Sequence, residues 1–187
     1  MNLNELRDRA YKTACEHGWH EEEYSNEHYL CLVISELMEA LEADRKGKHS
    51  DVAKFKEWQG NSIPLTEETR SRRFKEDFEA YIKGTVEEEL ADACIRLLDY
   101  WGTTNFVIDD SWSEDEVIEE FSRIFKRKTF TESIFNIVTS ITRFEIQIAF
   151  LKIFGLAEHI GIDLAWHIEK KMRYNELRSF KHGNKKY

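Results

Sequence analysis

Two acidic pairs carry the chemistry: Glu36 with Glu39 in SELMEAL, and Glu89 with Asp92 in EEELADAC. Residues three apart on a helix are neighbours on one face, so each pair presents its carboxylates side by side. Glu36 shares a helical stripe with Leu32, Ala40 and Ala43, apolar company in which a bare carboxylate is costly and demands a positive partner. Glu89 and Asp92 lie in a stripe with Ala93, Arg96 and Tyr100. If the two helices pack antiparallel, four carboxylates converge on an oxygen-rich site suited to Mg2+, or Mn2+, rather than zinc. The plain alternative is solvated surface: 34% of the residues are charged, acidic pairs then arise by chance, and Asp92 with Arg96 is an ordinary i,i+4 pair.

A basic set sits near the other end of the chain. Lys171, Asn175 and Arg178 fall at i, i+4 and i+7, extending an inward stripe begun by Leu164 and Ile168. Such a face suits a phosphate held beside the carboxylates, with arginine forking two oxygens, and it equally suits a helix C-terminus that favours cations. Residues 169 to 187 hold seven Lys or Arg against two Glu, either a solubilising tail or a lid over a polyphosphate. Other metal chemistries lack their residues. A di-iron bundle needs Glu-x-x-His, an HD-type phosphohydrolase needs His-Asp, and none of the seven histidines completes either.

The elements that must position these groups are helices. One proline and eight glycines in 187 residues leave few breakers, and an all-α antiparallel bundle follows. Periodicity and caps predict helices over 3 to 16, over 25 to 47 from a Ser25 cap to a Gly47 stop, and a short one over Val52 to Trp58. Next come 67 to 82 and a helix opened by Thr85 with Glu88 and stopped by Gly102. Then follow Ser113 with Glu116 to about Lys126, one long apolar helix from 131 to 154, and a last helix from Asp163 to Leu177. Residues 48 to 70, with Gly60, Asn61 and Pro64, read as a surface excursion.

The formal charge of −9 argues against a grip on polymeric nucleic acid, whose affinity comes from basic side chains displacing counterions. Three cysteines without a C-x-x-C pair indicate neither a disulfide framework nor a zinc finger. With no signal or membrane-spanning stretch in view, a cytoplasmic protein is expected, one domain over 1–187.

The stretches GWHEEEYSNEHYLCLVISELMEALEADRKGK, EEELADACIRLLDYW and GIDLAWHIEKKMRYNELRSFKHGNKKY, in that order, resemble the MazG-like branch of the all-α NTP pyrophosphohydrolase superfamily. The family's E-x-x-E, E-x-x-D and K-x-x-x-N-x-x-R motifs are met by Glu36 and Glu39, by Glu89 and Asp92, and by Lys171, Asn175 and Arg178. The resemblance covers roughly half the chain. It implies a homodimer or dimer of dimers that cleaves a nucleoside triphosphate to the monophosphate and pyrophosphate. The four acidic residues would bind magnesium, the basic set would hold the phosphates, and Trp19 would border the base or simply pack. Glu39 and Glu89 lie 50 residues apart, wider than the family's usual spacer, so segments 48 to 84 and 103 to 158 look like insertions. The rival from another class is a noncatalytic helical interaction protein that uses the apolar helix 131 to 154.

Overall fold

The computed structural model describes residues 1–57 and 66–181. Its regular structure is helical: α1 (Leu3–Glu16), α2 (Asn26–Arg45), α3 (Val52–Glu57), α4 (Glu67–Tyr81), α5 (Val86–Thr103), α6 (Asp115–Ser122), α7 (Phe130–Thr142), α8 (Ile146–His159) and α9 (Leu164–Glu176). Short 3-10 turns flank α6. No strand occurs among the described residues, and none of their helices is long and apolar enough to cross a membrane. Trp58, Gly60, Asn61, Pro64 and the tail lysines 185 and 186 lie outside the described residues.

Local chemistry sets the ends. Ser25 caps α2 by accepting from His28 N–H, and Gly47, at φ 63°, lets Lys48 N–H turn back to the Ala43 carbonyl. Thr85 caps α5 through Glu88 N–H, while the Glu88 carboxylate reaches back to Gly84 N–H rather than to its own cap residue. Asp163 caps α9.

Helix α5 is the axis of the bundle. Fourteen of its eighteen residues are buried, because α1, α2, α8 and α9 all pack on it. It runs antiparallel to α2: Val86 N–H bonds Lys48 O at one end, and the Tyr29 and Tyr100 rings lie 5.9 Å apart at the other. Helix α1 is also antiparallel to α5, since Arg7 donates to Phe106 O and Tyr11 meets Gly102. A smaller core of Phe55, Phe74, Phe78 and Ile82 joins α3 and α4 to α9 through the Phe78 and Tyr174 rings, stacked at 4.4 Å.

Three sequence expectations need correction. The apolar stretch 131 to 154 is two helices, α7 and α8, separated at Arg143–Glu145. Phe144 adopts φ 58°, while Phe144 N–H bonds Ile141 O and Glu145 N–H bonds Ser140 O, the double closure that ordinarily recruits glycine. Ser113 does not cap α6; its hydroxyl donates to Met1 O and Asp110 O, and Glu114 takes the cap position without a side-chain bond. Gly102 lies inside α5, where a Cβ would stand 2.4 Å from Tyr11 Cβ, so it serves close helix approach rather than termination.

Candidate metal and phosphate site

The antiparallel pairing of α2 and α5 sets Glu36 against the middle of α5. Carboxylate oxygens of Glu36, Glu89 and Asp92 all lie within 4.8 Å of one another. Neighbouring ligand oxygens around an octahedral magnesium sit roughly 3 Å apart, so closure by up to roughly 2 Å would bring the three onto one ion. Glu39 does not join the triplet. It is exposed on α2 and contributes to the wall of the same cavity.

Two cations are already in place. Arg96 donates its Nε–H to Glu36 Oε1 at 3.1 Å, and Lys171 Nζ stands 2.7 Å from Asp92 Oδ2 while also bonding Glu88. Lys171 and Glu88 are almost wholly buried. No hydrogen bond or ion pair reaches the Glu89 carboxylate from the described residues.

The electrostatics follow from that partition. Burial, then the Asp92 and Glu39 charges, push the Glu36 carboxyl up to about 7 against the pull of Arg96 and Lys171. Burial, then Glu88 and Asp92, push Glu89 up to about 9. Burial would raise Asp92 too, but Lys171 first and Arg96 next more than reverse it, and its carboxyl is held below the usual range. Burial alone would lower the Lys171 ammonium, and Asp92 with Glu88 turn that into a rise. One carboxyl pushed up to about 7 and one to about 9, beside one held below the usual range, describe a cluster short of positive charge.

The cluster opens into a cavity of about 320 Å³ walled by α1, α2, α5 and α9, within the range of small-molecule sites. Asn175 and Arg178 line it, with Arg178 in the turn just after α9. Burial lowers the Arg178 guanidinium. Asn175 Oδ1 is a buried acceptor without a hydrogen-bond partner. His17 ties α1 to this corner: its Nε2 faces Arg178 O at 3.0 Å and its Nδ1 faces Thr13 O at 2.7 Å. Trp19 is half-buried on the cavity wall.

Of the eight residues singled out by sequence, all line this one cavity. Lys171 differs from expectation in its partners: its ammonium is shared by Glu88 and Asp92 and would have to leave them to reach a phosphate. Sequence reasoning passed over Glu88, read only as a capping residue, although its place four before Asp92 puts it on the same face of α5. It also passed over Asp99, which takes a 2.7 Å hydrogen bond from His20.

Compared with protein-family models, with curated proteins and with solved structures, the chain shows no match.

Proposed function

We propose that this chain is a metal-dependent nucleoside triphosphate pyrophosphohydrolase of the all-α MazG-like type, a hydrolase giving the monophosphate and pyrophosphate. The observation that carries the reading is the meeting of Glu36, Glu89 and Asp92 at the floor of a cavity whose wall bears Asn175 and Arg178.

The donor set fits a hard cation. It offers only carboxylate oxygens, and burial with mutual repulsion pushes two of its three carboxyls up, to about 7 and about 9. Glu36, Glu89 and Asp92 would hold Mg2+ or Mn2+, with Glu39 at the wall as a further ligand. Such an ion would supply charge neutralisation and lower the pKa of the attacking water, making its deprotonated form available to phosphorus. The remaining steps belong to side chains. Arg178 forks phosphate oxygens, Asn175 satisfies its orphaned acceptor on the bound ligand, and Lys171 fixes Asp92. Trp19 borders the nucleoside. A single domain acting as a cytoplasmic homodimer or dimer of dimers, its inserted helices adapting substrate choice, completes the proposal.

The decisive experiment incubates the protein with a panel of ribo- and deoxynucleoside triphosphates and Mg2+, then separates the products. Release of pyrophosphate with the matching monophosphate is expected, and Asp92→Asn should lose at least about a hundredfold in turnover while keeping the wild-type circular dichroism. Silence with every nucleotide, in Mn2+ as well as Mg2+, overturns the reading. It would leave the noncatalytic interaction protein, which the exposed rings of Phe135 and Phe144 on and beside α7 favour.

A further inference from the structure

The cavity has a second polar end. Asp99 lies seven residues after Asp92 on α5, about 10 Å further along the helix axis, and both line the same cavity. Its Oδ1 receives the hydrogen bond from His20 Nε2, while His20 Nδ1 lies 3.2 Å from the Tyr29 hydroxyl. No other hydrogen bond reaches the Asp99 carboxylate from the described residues, although the residue is 8% exposed. A carboxylate this enclosed, clamped on one oxygen, is a fixed acceptor on the other.

The wall opposite carries small side chains. Helix α1 runs antiparallel to α5, so from the Tyr11 and Gly102 contact Ala14 comes level with Asp99, and Ala10 and Ala14 both line the cavity. On the pyrophosphohydrolase reading, the acidic triplet is the end that would take metal and phosphates. A ligand whose phosphates sit there must place its sugar and base along the cavity, and a displacement of about two helical turns spans a polyphosphate chain.

We propose that Asp99, oriented by His20 and Tyr29, is the specificity-determining acceptor of this site, accepting a hydrogen bond from an N–H or O–H donor on the nucleoside. The inference rests on the pyrophosphohydrolase reading for its ligand class. The donor is either the amino group of a base or a hydroxyl of the sugar. A site that buries an acceptor discriminates against ligands that leave it unpaired, and the deficit for a charged acceptor is worth about tenfold or more in affinity.

The test measures binding apart from turnover. Calorimetry with Mg2+ and α,β-imido triphosphates compares matched pairs: cytidine with uridine and adenosine with purine riboside for the amino group, thymidine with 3′-deoxythymidine for the hydroxyl. The expected result is a preference of about tenfold or more for the donor-bearing member of the base pairs or of the sugar pair. That preference should collapse below about threefold in Asp99→Asn while Mn2+ affinity is retained. His20→Gln, which frees the carboxylate to turn, should weaken the same preference and serves should Asp99→Asn fail to fold. Equal loss for both members of every pair, or no loss, overturns the assignment. Selective binding without pyrophosphate release would sink the hydrolase reading and keep Asp99; release with an indifferent Asp99→Asn would do the reverse. Absence of binding by every analogue sinks both.

Discussion

Glu36→Gln should stabilise the metal-free protein at alkaline pH. Burial pushes the Glu36 carboxyl up to about 7 in the fold from 4.5 when unperturbed, a difference worth about 3 kcal/mol. A carboxyl whose folded pKa is raised gives no differential below about pH 4.5, where both states carry the proton. Between about 4.5 and 7 the unfolded chain releases its proton and the folded one keeps it, so stability falls as pH rises. Above about 7 the whole deficit is present. The value already includes the opposing pull of the Arg96 guanidinium, so glutamine, a neutral isostere, reproduces the protonated state.

Urea unfolding followed by circular dichroism, in a chelator at pH 5 and pH 8, checks this. At pH 5 the variant should lead wild type by under about 1 kcal/mol. At pH 8 the variant should lead by about 3 kcal/mol, a midpoint shift on the order of 1.5 M for a slope near 2 kcal/mol per molar. Excess Mg2+ should then close the gap from the other side, because an ion that binds only the folded wild type adds about 2.7 kcal/mol at a hundred times its dissociation constant. A variant less stable than wild type at pH 8 in chelator would refute the reasoning, since it would mean that Arg96 already satisfies the Glu36 charge.

Three further outcomes follow from packing and pairing. Glu88→Gln strips one of two carboxylates from a fully buried Lys171 and should lower stability by about 3 kcal/mol in the same urea assay, largely independent of Mg2+. Gly102→Ala forces a Cβ to within 2.4 Å of Tyr11 Cβ and should cost about 1 to 3 kcal/mol, read as a lower melting temperature and faster amide exchange in α1. Phe144→Gly relieves a left-handed conformation at a half-exposed side chain and should raise the stability of the monomeric unit by about 1 kcal/mol.

The sequence discloses faces better than partners. The long helices and the acidic stripe of α2 were legible because a 3.6-residue period and capping residues act locally. The break between α7 and α8 was not, since no glycine or proline marks it and Phe144 is held at φ 58° by backbone hydrogen bonds that no residue type advertises. Glu88 was hidden in a run of three glutamates at a helix start, where acidic residues ordinarily answer the helix dipole. Asp99 gains meaning only from His20, 79 residues earlier, brought to it by the packing of the N-terminal segment on α5.

Lys171 makes the same point with a consequence for charge. Its spacing fixed an inward direction, but what it meets depends on α5, a different stretch of chain. Counted at full ionisation, Glu36, Glu88, Glu89 and Asp92 set four negative charges against the cations of Lys171 and Arg96. Two negative charges remain, the charge of one divalent ion. The protein without metal can make up the difference only with protons, and the two carboxyls that take them are Glu36 and Glu89, the ones pushed up to about 7 and about 9. An ion entering the site therefore displaces protons rather than Lys171. Its affinity should climb with pH through that interval, while the buried lysine stays where Glu88 anchors it.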